Sequence, residues 1–181
     1  MSDVISGLMH LSLRVKDYEK SLDFYCNGMG FEKMFEYTKK DFYELDPSQA
    51  PKESRGDENN IWLAYLRIRP RQYLELFPVP HEEVAQHTTQ SFFHFSLQVD
   101  NIEKTVDVIR KRGIKIYKFG SDIARNKQVP KIFVPLVGKC RSRIAWTCDP
   151  DGNMIELMEL TPQSHQRRFD EANAYKFNPV F

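Results

Sequence analysis

The sequence predicts an α+β fold made of one unit used twice, on three observations: an internal repeat, strict alternation of apolar and polar residues at the head of each copy, and a helical stripe after it. The segment HLSLRVKDYEKSLDF (His10 to Phe24) aligns with HFSLQVDNIEKTVDV (His94 to Val108) at a spacing of 84 residues. His10/His94, Ser12/Ser96, Leu13/Leu97, Val15/Val99, Glu19/Glu103, Lys20/Lys104 and Asp23/Asp107 coincide. Each copy runs on to a glycine and a large apolar residue, Gly30-Phe31 and Gly113-Ile114, and later to an apolar-Glu-Leu step, Leu74-Glu75-Leu76 and Ile155-Glu156-Leu157. These last steps lie 81 residues apart, so the register survives across both halves with a short net gap.

Each half reads as strand, helix, then strands. In Leu8 to Val15, Met9, Leu11, Leu13 and Val15 point one way and His10, Ser12 and Arg14 the other, the period of two of a half-buried strand. Asp17 is the expected N-cap of a helix striped by Tyr18, Leu22, Tyr25 and Met29. Strands are expected over Ile61 to Ile68 and Tyr73 to Phe77, turning at Pro70-Arg71-Gln72. The second copy repeats the scheme. Phe95, Leu97 and Val99 oppose His94, Ser96 and Gln98, and Ile102, Val106 and Ile109 stripe a helix ending at Gly113. Strands Arg143 to Cys148 and Met154 to Leu160 flank the turn Asp149-Pro150-Asp151-Gly152-Asn153. Polar Thr38 to Asn60 reads as a long loop, and basic Phe119 to Ser142 carries no clear period. The expected organisation is a first module over 5–80, a linker over 81–89, a second module over 90–160 and a tail over 161–181. Phe169, Tyr175, Phe177 and Phe181 of the tail are available to dock on the body.

Bulk properties narrow the function. The 181 residues are 41% hydrophobic and 28% charged, ordinary values for a globular chain. Lys and Arg total 26 against 25 Asp and Glu, which leaves no charge field aimed at nucleic acid or an anionic membrane. There is no apolar run near the ~20 residues that span a bilayer and no signal-peptide pattern at the N-terminus. Cys26, Cys140 and Cys148 are an odd number without metal-type spacing, which fits free thiols in a reducing compartment. The expected location is cytoplasmic.

Single strand-borne histidines are mostly structural or merely exposed, and a lone glutamate suits any half-exposed strand. Repetition changes the weighing. His10 and His94 occupy the same repeat position on a polar strand face, and Glu75 and Glu156 sit within otherwise apolar strands, where a carboxylate is costly without a partner. Two imidazoles and two carboxylates together suit one divalent cation such as Zn, Ni, Co, Fe or Mn.

The segment HLSLRVKDYEKSLDFYCNGMGF resembles the opening of bacterial glyoxalase I, and IAWTCDPDGNMIELMEL resembles its closing motif. The chain is thereby identified as a member of the vicinal oxygen chelate superfamily, over roughly Leu8 to Leu160. The resemblance implies two βαβββ modules (the glyoxalase/bleomycin resistance/dioxygenase fold) and a metal quartet of His10, Glu75, His94 and Glu156. Arg14 falls where glyoxalase I places an arginine for the glutathione γ-glutamyl carboxylate, and Val79 stands where that enzyme keeps an asparagine.

The implied chemistry is that of a metal-dependent lyase or isomerase. A Lewis-acid ion stabilises an enediolate of a 2-hydroxycarbonyl or 2-oxo substrate, such as a thiol hemithioacetal, while Glu156, or Glu75, moves the proton. Arg14, Arg141 and Arg143 are candidates to hold a small anionic substrate. A solvated basic loop is the plainer reading for Arg141 and Arg143. Family members often pair modules between chains, so a homodimer is expected. Competing functions are an extradiol dioxygenase, an epimerase of the methylmalonyl-CoA type and a metal-free ligand-sequestering protein. Cys148 lacks a visible base and reads as an apolar filler. Trp62 and Trp146 read as core in the first instance.

Overall fold

Short-range signals set the ends of the elements in the computed structural model, which describes residues 7–45, 56–80, 93–130 and 133–173. The chain divides into two units, Met1–Gln86 and His87–Phe181. Each contains one four-stranded mixed sheet with helices, and the predicted duplicated α+β architecture is the one observed.

In the first unit the strands are β1 (His10–Val15), β2 (Glu32–Thr38), β3 (Ile61–Arg69) and β4 (Gln72–Pro78), in the order β1-β4-β3-β2. Strands β1 and β4 are parallel, which requires a long crossover, whereas β3 and β4 are antiparallel and joined by a tight turn with Arg71 at φ 64°. Alternation gives the sheet two faces. One buries Leu13, Val15, Ala64, Leu66, Leu74 and Leu76. The other carries His10, Ser12 and Arg14 of β1 beside Tyr73, Glu75 and Phe77 of β4.

Helix α1 (Tyr18–Leu22) starts at Asp17, whose carboxylate accepts from the Lys20 N–H at 3.1 Å, as the sequence predicts. It then widens into a π-helical turn over Asp23–Gly28, with Met29 N–H donating to Phe24 O. That extra residue per turn rotates the buried side to Ser21, Tyr25 and Gly28. Of the expected stripe only Tyr25 reaches the core, and Tyr18, Leu22 and Met29 are half-buried.

The second unit repeats the plan with β5 (Phe95–Gln98), β6 (Leu136–Val137), β7 (Arg143–Cys148) and β8 (Met154–Glu159), ordered β5-β8-β7-β6. Here Asn101 caps the crossover helix α3 (Ile102–Lys111), accepting from Lys104 N–H at 2.9 Å, and Gly113 follows its end at φ 87°. Ile102, Val106 and Ile109, the predicted stripe, are buried. The 149–153 turn is built by Asp149, whose carboxylate accepts from the Asn153 and Asp151 N–H groups at 2.8 and 3.0 Å.

Three further expectations change. Thr38 to Asn60 is not a loop throughout: Thr38 ends β2 and Lys39–Leu45 forms helix α2. The cause is a reciprocal cap, in which Thr38 N–H and Oγ1 donate to Asp41 while Asp41 N–H donates to Thr38 Oγ1. The basic stretch after Phe119 contains a short helix, α4 (Ser121–Ala124), and strand β6. The tail begins with helix α5 (His165–Asn173), stapled to the loop before β7 by Ser142 and Ser164 hydroxyls at 3.0 Å and by Thr161 Oγ1 donating to Arg141 O. The expected linker over 81–89 and the aromatic residues Tyr175, Phe177 and Phe181 lie outside the described residues. Among the described residues no helix is long and apolar enough to cross a membrane.

Candidate metal centre

The two halves each bring one histidine to one glutamate. In the first unit, the β1–β4 register sets Ser12 opposite Glu75, with His10 two strand residues away and on the same face as both. His10 Nε2 stands 3.5 Å from a Glu75 oxygen. In the second unit Ser96 lies opposite Glu156, and His94 Nε2 stands 3.9 Å from a Glu156 oxygen. Both separations exceed the roughly 2.7–3.2 Å of an N–H···O bond, so neither pair is closed on itself. The carboxylates are deep, with side chains 12% and 11% exposed, and the imidazoles are more open at 40% and 29%. A carboxylate this sheltered needs compensating donors or a cation.

Each pair has an aromatic neighbour on the next strand. Tyr65 of β3 is opposite Glu75, and Trp146 of β7 is opposite Glu156. Both rings meet their histidine edge-on with planes at 76°, at centroid distances of 5.9 Å for Tyr65–His10 and 4.9 Å for Trp146–His94. The chemistry of the two differs. Tyr65 Oη lies 3.0 Å from His10 Nδ1, and Ser12 Oγ donates to Glu75 in a short hydrogen bond. Burial first, then the charge of Glu75 and a hydrogen bond to it, push the Tyr65 phenol above its ordinary pKa. Trp146 offers an indole N–H but no acceptor, and His94 Nδ1 is buried without a hydrogen-bond partner among the described residues.

In each unit the pair offers one imidazole nitrogen and one carboxylate oxygen, donor types that suit a borderline divalent ion. The open geometry of each His–Glu pair is consistent with that fit. Each pair is seen within its own unit, and among the described residues no group of three or more His, Cys, Asp or Glu side chains gathers at one point. A cavity of about 520 Å³ in the second unit, bordered by Gln98, Asp100, Leu160, Arg167 and Asp170, includes none of the four candidate ligands.

The candidate anion-binding arginines separate. Arg14 is exposed on the face that carries His10, about 13 Å further along β1 at roughly 3.3 Å per residue. Arg141 is exposed in the turn before β7, at φ 64°, with its carbonyl accepting from Thr161. Arg143 is committed elsewhere. Its guanidinium pairs with Glu103 of α3 and, at 3.1 Å, with Glu159 of β8, while Glu159 also accepts from the Ile102 N–H at the start of α3. This residue ties helix to sheet and does not present a free clamp.

Tyr65 and the facing side of Trp146 were not readable as site residues from local pattern. The available signal was the repeat: Tyr65 and Trp146 are 81 residues apart, the same spacing as Glu75 and Glu156.

Comparison with known proteins agrees with the duplicated fold. The chain is 24% identical to the uncharacterized protein YwkD of Bacillus subtilis, over 86% of this chain and 98% of that protein. It is 28% identical to a probable lactoylglutathione lyase of Synechocystis, over 85% of this chain and 95% of the relative. The crystal structure of a glyoxalase family protein from Enterococcus faecalis superposes with a TM-score of 0.57 at 19% identity, covering 84% of this chain and 97% of that one, a likeness of fold. Residues 7–157 match the Glyoxalase/Bleomycin resistance protein/Dioxygenase superfamily, and with two βαβββ modules carrying the repeat the chain belongs to that superfamily.

Proposed function

We propose that this chain is a metal-dependent lyase or isomerase of the glyoxalase type, acting on a small anionic 2-hydroxycarbonyl or 2-oxo compound, or on its thiol hemithioacetal. The observation that carries the reading is the duplicated His–Glu pair, His10 with Glu75 and His94 with Glu156, each left open at 3.5 and 3.9 Å. The name of the Synechocystis relative points to the same chemistry.

In this reading His10, Glu75, His94 and Glu156 hold one divalent ion, one of Ni, Zn, Co, Mn or Fe. When bound, such an ion acts as a Lewis acid toward a carbonyl oxygen. Glu156 takes a proton from one substrate carbon and returns it to the neighbouring one, with Glu75 the alternative base. Arg14, on the His10 face, holds the anionic end of the substrate, and Arg141 is a second candidate for it. Arg143 has no part in this scheme because Glu103 and Glu159 already occupy it. The chain works as a cytoplasmic homodimer. Sedimentation as a monomer at micromolar concentration would remove the dimer.

Metal content is the direct test. One divalent ion per pair of modules is expected in the purified chain after loading with zinc or nickel and dialysis. His10→Ala and Glu156→Gln each lose most of it, since each removes one of four protein ligands. Unchanged content in both variants would eliminate the quartet.

A further inference from the structure

We propose that Lys115 and Asn126, flanked by Arg125 and Lys127, form an anion-binding rim on the His94–Glu156 face of the second unit that takes a phosphate group on the substrate. The reacting end of that substrate is taken from the reading above, whereas the anion site stands on the second unit's own geometry.

Strand pairing sets the face. Tyr117 forms an antiparallel bridge with Trp146, which lies opposite Glu156, so the three residues occupy one row across the sheet. Two strand spacings, about 10 Å, separate Tyr117 from Glu156. Side chains alternate, so Lys115, two residues before Tyr117, belongs to the same face. Thr147 Oγ1 donates to Lys115 O at 2.8 Å and pins this segment to β7. Beyond it Gly120 lies against the Trp146 indole, where an added Cβ would meet a ring carbon at 3.4 Å. The chain then turns back: Lys127 N–H donates to Asp122 O, and Gln128 bridges to Tyr117 from the other side.

That return brings Asn126 to Lys115. Asn126 Oδ1 accepts from Tyr117 Oη at 3.3 Å and from Lys115 Nζ at 3.5 Å, with its backbone in the left-handed region at φ 48°. Its oxygen is thereby engaged, and two amide N–H donors remain for another acceptor.

The charge around Asn126 is one-sided. Arg110 to Lys127 contains seven Lys and Arg residues and one acid, Asp122. Asp122 is buried and accepts from the Phe119 N–H. Arg110 and Lys111 end α3, where the helix dipole favours cations. Lys115, Arg125 and Lys127 have no such support: all three are exposed, and none forms an ion pair among the described residues. Like charges gathered in this way repel one another until an anion joins them. A phosphate monoester brings nearly two negative charges and three acceptor oxygens, a closer match to three cations and an amide than one carboxylate.

Inorganic phosphate and, separately, acetate are titrated into the full-length metal-free chain at low ionic strength, with amide spectra as the readout. Phosphate should shift the signals of Lys115, Tyr117 and 125–128, including the Asn126 side-chain amide, and bind about tenfold more tightly than acetate. Lys115→Gln and Asn126→Gly, the latter keeping the left-handed backbone, should each weaken phosphate binding about tenfold. Lys104→Gln, at the far end of α3, should leave it within about twofold. Dihydroxyacetone phosphate, which joins a 2-hydroxycarbonyl to a phosphate, should also shift the His94 ring signals. Equal affinity for acetate, equal weakening by Lys104→Gln, or His94 signals unmoved by the phosphorylated compound overturns the proposal. Phosphate binding as described in a chain that takes up no zinc supports the anion site and removes the metal reading instead. Lys115→Gln alters an exposed side chain and carries the comparison by itself if Asn126→Gly does not fold.

Discussion

The indole of Trp146 meets His94 edge-on, with ring centroids 4.9 Å apart, and the same side chain lies opposite Glu156 in the β7–β8 register. One residue therefore backs both members of the second His–Glu pair. Trp146 is also anchored from behind, exchanging backbone hydrogen bonds of 2.8 and 2.9 Å with Tyr117. Because the side chain is buried, Trp146→Ala should cost on the order of 3–5 kcal/mol, the usual range for deleting a buried Phe or Trp ring. Urea unfolding followed by far-ultraviolet circular dichroism measures it. A loss under about 1 kcal/mol would mean that the neighbouring side chains do not depend on the indole for packing.

Arg143 separates a structural ion pair from a substrate clamp. It bridges Glu103 and Glu159 across α3 and β8, and its side chain is 28% exposed, so solvent screens the cluster only in part. Arg143→Met should leave two carboxylates facing each other without a counter-charge and destabilise the fold by roughly 1–3 kcal/mol, less than a fully buried pair would lose. Chemical denaturation measures that loss. The apparent KM for an anionic substrate should stay within about twofold, against a rise of about tenfold or more for Arg14→Met, where each tenfold corresponds to about 1.4 kcal/mol. A large KM effect at Arg143 with no change in stability would restore it as a clamp.

Much of the fold was legible because it depends on short-range rules that the repeat states twice. Asp17 and the Ile102, Val106 and Ile109 stripe behave as their spacing predicts. The alternation of β1 buries Leu13 and Val15 and leaves His10, Ser12 and Arg14 on the exposed face. What was not legible has specific causes. The π-turn over Asp23–Gly28 adds a residue to one helical turn, and nothing in the apolar pattern marks it. Helix α2 spans only seven residues, about two turns, too short for an apolar period to show, although the Thr38–Asp41 box could have marked it. Within the candidate site, the four titratable residues stand out by charge in an apolar context. Tyr65 and Trp146 do not, because aromatic residues on strands are most often core, and only register across β3–β4 and β7–β8 gives them a role.

The three cysteines should react in a definite order. A hydrogen bond from Ser142, ahead of the opposing effect of burial, lowers the Cys140 thiol pKa. Burial raises the pKa of Cys26 and of Cys148, for which the neighbouring Asp149 charge adds to the effect. The thiolate is the reactive species, so a lowered pKa gives a larger thiolate fraction at any pH below it, and a raised pKa a smaller one. Near neutral pH iodoacetamide should modify Cys140 first, and the gap should narrow as pH rises and the other two ionise. Peptide mapping by mass spectrometry at two pH values checks the order. Cys148 modified ahead of Cys140 at neutral pH would contradict it.

The proposed reaction makes a prediction that separates it from oxygen chemistry. Moving a proton between adjacent carbons consumes no oxidant, nucleotide or dioxygen, so turnover should proceed anaerobically and yield an isomer of the substrate's own mass. The hemithioacetal of glutathione and methylglyoxal is the first compound to try, because Arg14 lies on the face that carries His10 and the substrate is anionic. In deuterated water the carbon next to the carbonyl should gain label whenever exchange of the abstracted proton competes with its return. Glu156 is the expected carrier: its carboxylate is sheltered, opposite Ser96 and Trp146, in a position where a proton once taken is slow to reach bulk water. Glu156→Gln should suppress label uptake and turnover together, by at least about 100-fold if the carboxylate is the general base. Metal content measured on the same preparation separates loss of the base from loss of the ion. A variant that retains its metal and still exchanges the proton would move the role to Glu75. Product carrying an oxygen atom from dioxygen, with cleavage of a ring, would replace isomerisation by a dioxygenase reaction.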